Sequence, residues 1–414
     1  MAPKRSHNFL APSNSQRGHI VDDYSGNICE KHGDVYRQPT RCSYSLLLLF
    51  LLLGCIRSGS DSTAPELPLY SGVWLGDVTP SGGAPFGARF YIGELDAGLT
   101  IRLESQYINQ AFTNIETSHD TIRFTWPMDT PRNCLLELRS DHSWEGNCQG
   151  DGTGTIDLLL VPPSNGDTPT GLARAAVESE ISWMEEQVGR LRILVQAGGN
   201  AAAHAPALYE SAVSAFENAF ELLEETPPSV TIWILYVDSH AEMRQLAGWP
   251  AGGWADGVAR SAANSVTKDG RSPDHHEVMH VAATVAWGIP ASPWEWVNEG
   301  LATYAPGECA GVGIHYLASA LIDNGSAEPL NKLMHEFRQL NEANAYLQSA
   351  SVVGFIHEVF GIEALRSIWK NGPDVLPDVT GMDLDALENS WREFVSKVPA
   401  ASKALKTVND QGCL

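Results

Sequence analysis

The stretch His276-Glu277-Val278-Met279-His280, followed nineteen residues later by Glu299 in Trp296-Val297-Asn298-Glu299-Gly300-Leu301-Ala302-Thr303-Tyr304, decides how this chain is read. Residues four apart on a helix share a face, so both imidazoles can reach one metal ion. Glu277 can lean toward a metal-bound water without ligating the ion, and Glu299 supplies the third ligand. Local signals place both stretches on helices. Ser272-Pro273-Asp274 reads as an N-cap, a first-position proline and first-turn negative charge, and Gly288 with Pro290 ends the segment. Ser292-Pro293-Trp294-Glu295 reads as a capping box that opens a second helix carrying Glu299.

The chain contains its own controls. His335-Glu336 is followed by Gln339 where a second histidine would fall, and His357-Glu358 by Gly361. Neither can present two imidazoles at helical spacing, so both are read as ordinary surface or packing residues.

The two motifs together resemble the gluzincin division of zinc metallopeptidases, which includes thermolysin and the zinc aminopeptidases. The eighteen residues between His280 and Glu299 match the aminopeptidase spacing, and the Trp296–Tyr304 block is similar to bacterial members of the peptidase MA-like group. The resemblance extends from Ala205 to about Val398. It implies one zinc ion held by His276, His280 and Glu299, with Glu277 as general base. It also implies a tyrosine well after the glutamate ligand, on a helix near the metal; Tyr346 fits that pattern as an oxyanion donor or, equally, as a core residue. Asn298 would steady the site by hydrogen bonding to a ligand, or lie on the helix surface. In this fold the strand just upstream of the metal helix lies at the sheet edge, so Asn264, Ser265 and Val266 are expected to bind an extended peptide by strand addition. The Gly-Ala-Met-Glu-Asn strand that recognises amino termini in true aminopeptidases is absent, which points to an endopeptidase.

The other bounds come from composition. The chain has 414 residues, with 27 Lys+Arg against 50 Asp+Glu. Its length predicts two or three domains. An acidic surface of this kind argues against nucleic acid and anionic lipid as partners. Leu46–Leu53 is an apolar run too short to span a bilayer but suited to a signal-peptide core, preceded by Arg37 and Arg41. Leu52-Leu53-Gly54-Cys55 resembles a bacterial lipobox, which implies export, lipidation at Cys55 and anchoring at the cell envelope. Residues 1–54 are then a leader and 55–69 a tether. Of the four cysteines that remain, Cys134 and Cys148 are the expected disulfide; Cys309 and Cys413 are either a second one or free thiols.

Residues 70–162 show short runs of period-two alternation, such as Thr121–Trp126 and Cys134–Leu138, that predict a small antiparallel β-barrel or meander. Trp74 and Trp144 are expected to plug its core. After a linker at 163–170, residues 171–400 are expected to form an α+β zincin-like metallopeptidase domain with a mainly helical C-terminal half, and 401–414 a tail. Within it, helical periodicity is read through Ala175–Val195 and Ala207–Glu225, with a buried strand at Val230–Val237 and only helices after the metal motifs. The favoured function is zinc-dependent hydrolysis of peptide bonds. The alternative is a surface lipoprotein whose barrel binds a ligand and whose zinc fold is a relic. Retention of Glu277 separates the two, because a relic needs no base.

Overall fold

Alternation of apolar and polar residues from Gly72 onward builds the first half of the molecule. In a computed structural model, residues 72–95, 98–105, 108–150, 153–162 and 167–413 are described, and all of them belong to one compact unit, Ala64–Leu414. The leader, Cys55 and the tether lie outside the described residues. Among the described helices none is long and apolar enough to cross a membrane.

Nine antiparallel strands come first: β1 (Gly72–Pro80), β2 (Phe86–Leu95), β3 (Gly98–Glu104), β4 (Asn109–Ala111), β5 (Thr113–Thr117), β6 (Thr121–Trp126), β7 (Arg132–Leu138), β8 (Trp144–Gly150) and β9 (Thr153–Val161). Their order is β4-β3-β2-β1-β9-β8-β7-β6-β5. The two end strands are consecutive in sequence, so the meander curls into a nearly closed barrel, as the alternation predicted. Inward positions carry the core: Ile122, Phe124 and Trp126 are buried along β6, with Trp74 and Trp144 among them. The Trp126 indole N–H donates to Gln110 Oε1 at 2.8 Å, tying β6 to β4 across the seam. Cys134 and Cys148 face each other on β7 and β8 and form a disulfide.

The second half starts with α1 (Gly171–Glu178), followed by β10 (Trp183–Val188), β11 (Leu191–Gln196), α2 (Asn200–Ala203), α3 (Ala205–Leu222), β12 (Ile232–Val237), α4 (His240–Ala247), β13 (Gly253–Asp256) and β14 (Ser261–Ser265). These strands form a second sheet in the order β10-β11-β12-β14-β13. β11, β12 and β14 run parallel, and an antiparallel strand closes each edge. Every residue of β12 is buried because helices cover both faces. Ile232, Ile234 and Tyr236 join the core that includes α3, while Trp233, Leu235 and Val237 pack with α1 and α4.

The helix read through Ala175–Val195 stops at Glu178, and Trp183–Gln196 is a β-hairpin instead. Gly189, at φ 59°, turns the chain, and β11 is recruited by parallel pairing with β12, an interaction no local periodicity reports.

The remainder is α5 (Asp274–Trp287), α6 (Glu295–Tyr304), β15 (Glu308–Cys309), β16 (Val312–Gly313), α7 (Ile314–Asp323), α8 (Leu330–His335), α9 (Glu342–Phe360), α10 (Ile362–Asn371), α11 (Leu376–Thr380), α12 (Leu384–Val395) and α13 (Ser402–Gln411). The expectation of helices alone therefore needs one amendment, the small β15–β16 hairpin. The tail at 401–414 likewise contains α13, which buries Leu405 and Val408 and is held by a Cys309–Cys413 disulfide.

Candidate metal centre and substrate edge

Helix α5 begins at Asp274, with Pro273 rather than Ser272 at the cap. The Asp274 carboxylate supplies the first-turn negative charge, and it accepts a hydrogen bond from the buried Tyr236 hydroxyl at 2.6 Å. That bond locks the start of the helix onto β12. Helix α6 begins at Glu295, and the expected Ser292 capping box does not form; Trp294 occupies the cap without a side-chain bond. Packing holds α6 instead. A Cβ on Gly300 would lie 2.8 Å from the Ser349 carbonyl oxygen, and one on Gly354 2.6 Å from the Tyr304 ring, so glycines let α6 and α9 cross closely. This crossing brings Glu299 and Tyr346 to the same place.

His276, His280 and Glu299 converge. Their donor atoms are separated by 3.1 Å between the two Nε2 atoms and by 3.4 and 3.3 Å from these to Glu299 Oε2. Tetrahedral zinc with bonds of about 2.0–2.1 Å requires ligand–ligand edges of about 3.3–3.4 Å, so the donor set and its spacing fit that ion. The side chains are only 20%, 12% and 10% exposed, which leaves them shielded but reachable. His280 Nδ1 lies 3.0 Å from Asn298 Oδ1 and donates to it, leaving Nε2 free to ligate. Thr303 Oγ1 stands 3.4 Å from His276 Nδ1 and steadies the other ring.

Electrostatics agree with a cation site. Burial disfavours charge on His280, yet the Glu299 carboxylate and its hydrogen bond override this and lift the imidazole to about 9. Burial also opposes charge on Glu299, but the two histidines hold it well below the usual carboxylate range. A divalent ion at this position would compete with protons for the same lone pairs.

Glu277 is 8% exposed, and burial raises its carboxyl above the usual range against the lowering effect of the histidines. Tyr346 lies in the first turns of α9, its ring stacked near-parallel on His276 with centroids 6.0 Å apart and packed on Phe337. Burial and the Glu299 charge raise its phenol, so it remains a proton donor at neutral pH. Arg338 places a guanidinium nitrogen 3.6 Å from Glu299 Oε1 and is more than half exposed.

One expected group is not at the site. β14 is an interior strand, flanked by β12 and β13, so Asn264, Ser265 and Val266 do not form the edge of the cleft. Asn264 is buried with its amide toward the Leu235 carbonyl, Ser265 Oγ donates to the Ala251 carbonyl at 2.9 Å, and Val266 belongs to the core. The edge is β13, contributed by the glycine-rich loop that the sequence reading left as a connection.

The pairing fixes which atoms this edge offers. Ser265 N–H donates to Gly252 O at 2.7 Å, and the register continues from Gly253 opposite Asn264 to Asp256 opposite Ser261. Antiparallel pairs alternate, so Trp254 and Asp256 turn their backbone groups onto β14 while Gly253 and Ala255 turn theirs outward. A Cβ on Gly253 would overlap the Glu277 carboxylate. The outward backbone of β13 thus begins directly beside Glu277.

Sequence reasoning missed Thr303, Arg338, Gly253 and Ala255. Thr303 was findable, because it sits one turn after Glu299 on the same helical face. Arg338 and β13 reach the site only through tertiary packing. No protein-family model matches the chain, and no curated protein matches it. Among solved structures it is similar to an aminopeptidase N family protein from Idiomarina loihiensis, at 10% identity and a TM-score of 0.28; the match covers 82% of this chain and 65% of that one.

Proposed function

We propose that the protein is a zinc-dependent peptidase that cuts internal peptide bonds. The observation that carries this reading is the convergence of His276, His280 and Glu299 at tetrahedral spacing, with Glu277 between that cluster and an open strand edge. A zinc ion held there would act as a Lewis acid and bring the pKa of a water toward about 7. Glu277, made more basic by burial, accepts a proton from the attacking water and passes it to the leaving amine. Tyr346 donates a hydrogen bond to the carbonyl oxygen as it gains charge. Gly253 and Ala255 bind the substrate backbone as an added strand, which favours an extended peptide with little regard to its side chains. The chemistry of this edge supports cleavage of internal bonds. Its one carboxylate, Asp256, is buried against backbone amides and cannot take up a free amino terminus.

The same proposal places the enzyme at a bacterial cell envelope, anchored by lipid on Cys55. The apolar run Leu46–Leu53 and the lipobox-like Leu52–Cys55 support this, as do two disulfides suited to an oxidising compartment. Changing Cys55 to Ser should move the protein from membrane to soluble fractions.

Glu277→Gln tests the catalytic reading. It should retain one zinc per chain and lower turnover of internally quenched, amino-terminally acetylated peptides by about 10²–10⁴-fold, the usual contribution of a general base. Undiminished turnover, or a folded protein that takes up no zinc in excess metal, would overturn the proposal.

A further inference from the structure

The barrel touches the catalytic half at one place that matters for chemistry. β1 and β2 form a hairpin, and Asp77 and Gly87 are cross-strand partners near its tip. Gly87 N–H donates to Asp256 Oδ2 at 2.5 Å, and the other oxygen of that carboxylate accepts from Ala259 N–H at 2.9 Å. Asp77 in turn accepts from Gly171 N–H at the start of α1 and lies 3.0 Å from the Arg174 guanidinium. The fit is tight. A Cβ on Gly87 would stand 2.6 Å from Ala259 N and 2.7 Å from its Cβ, and one on Gly171 2.6 Å from the same methyl. At the other end of the loop, a Cβ on Gly248 would approach Ala84, at the hairpin turn, to 3.3 Å.

The segment Gly248–Ala259 is therefore hydrogen-bonded to the barrel hairpin through Asp256 and lies close to the hairpin turn at Gly248, and between those ends lies β13. We infer that the barrel is a positioning element of the peptide-binding site: through Gly87 and Asp256 its β1–β2 hairpin holds β13 at the height where Gly253 meets Glu277. This rests on the peptidase reading for its functional consequence but not for its structural content. The physical reason is the exposure of an edge strand. β13 is four residues long and has a partner on one side only, so β14 alone fixes its register weakly. Two hydrogen bonds from backbone amides to one buried carboxyl group add a constraint that the strand cannot supply itself. Asp256 is a positioning residue here and touches no reacting atom.

The experiment uses the full chain with zinc bound. Gly87→Ala lies in the barrel, remote in sequence from the metal motifs, and Asp256→Asn keeps the side-chain shape but removes one of its two acceptors. Both should raise KM for extended acetylated peptides by about tenfold with kcat changed less than about threefold, because each bound substrate must first order β13. Zinc content should stay at one per chain. Hydrogen exchange at Trp254 and Asp256, whose amides face β14, should accelerate in both variants, while the barrel amides around Trp126 and Trp144 stay protected. The unmodified chain gives a check that no misfolded variant can spoil. In rising denaturant, the amides of Gly87 and of Trp254 and Asp256 should lose protection together. Opening of β13 while Gly87 stays closed would overturn the inference, as would unchanged KM and unchanged exchange in folded Gly87→Ala protein. Failure of the parent to cut any peptide, with the exchange pattern as expected, would instead remove the peptidase reading and leave the coupling of barrel to strand standing.

Discussion

The two halves of the molecule treat buried polarity in opposite ways. The barrel hides Phe90, Leu103, Ile122, Trp126, Trp144 and Leu160, and its buried polar side chains among the described residues are Asp77, Ser105 and Ser143. The helical half buries Asp256, Asn264, Asp274, Glu277, Glu299, Gln348, Ser349 and Ser351 as well as its apolar core. Buried polar groups cost stability unless each finds a partner, and a carboxylate costs most. A half that carries so many bears a larger desolvation cost; the other is a nearly dry scaffold. Among the shifted groups, Glu277, His280, Glu299 and Tyr346 gather at the candidate metal centre, while Asp77 and Asp256 sit where the two halves meet.

The largest expected effect tests the dry half. Trp144→Ala empties the centre of the barrel and should lower unfolding free energy by about 3–5 kcal/mol, read by denaturant titration. The folded fraction should keep its zinc affinity. A fall in zinc affinity in protein that is still folded would break the separation, because scaffold and metal site would then share one core.

Next is Tyr346→Phe, which removes the oxygen and leaves the ring on His276. Loss of one oxyanion donor should lower kcat by about 10²-fold with KM nearly unchanged. If KM rises and kcat holds, the hydroxyl binds substrate rather than the transition state.

Asn298→Ala and Thr303→Val probe the polar partners of the ligands. Each should weaken zinc binding by about 10–100-fold in a competition with a chelator, with Asn298→Ala the larger because its bond to the ligand is shorter. Equal effects from both would show that ring orientation matters less than the helix itself.

The last effect concerns the junction between the halves. Burial lifts the Asp77 carboxyl to about 7 in spite of Arg174 and the Gly171 amide. Its folded-state value is thus above its unfolded value of 3.8, so the folded chain holds the extra proton between them. The Asp77 contribution to stability is fully present below about pH 4 and declines as pH rises through about 7. Asp77→Asn, compared with the parent across that window by thermal melting, should flatten this part of the profile. A parent that instead gains from Asp77 as pH rises would mean that the Arg174 pair outweighs desolvation.

Much of this was legible in the residues. Alternation in Thr121–Trp126 reported a half-buried strand, and its buried positions are those the pattern marks. Helical spacing put His276 and His280 on one face, and the controls behaved as read: His335 and Glu336 are exposed, while His357 and Glu358 meet Tyr304 at the surface. Local signals were less reliable at helix starts. The Ser292 capping box did not form: α6 starts at Glu295 with Trp294 at its cap, and the helix packs closely on α9.

The sequence by itself determined what depends on short range: the alternation of the barrel strands and the sharing of a helix face by the two histidines. Tertiary structure alone decided which strand is the edge. The pattern Ser261–Val266 reads the same whether it has one neighbour or two, since a strand's inward and outward faces are written in its side chains but its lateral partners are not. Only when Gly253–Asp256 folded back on β14 did the open backbone pass to Gly253 and Ala255. For the same reason the hydrogen bond from Gly87 to Asp256, 169 residues apart, was invisible until the two halves met.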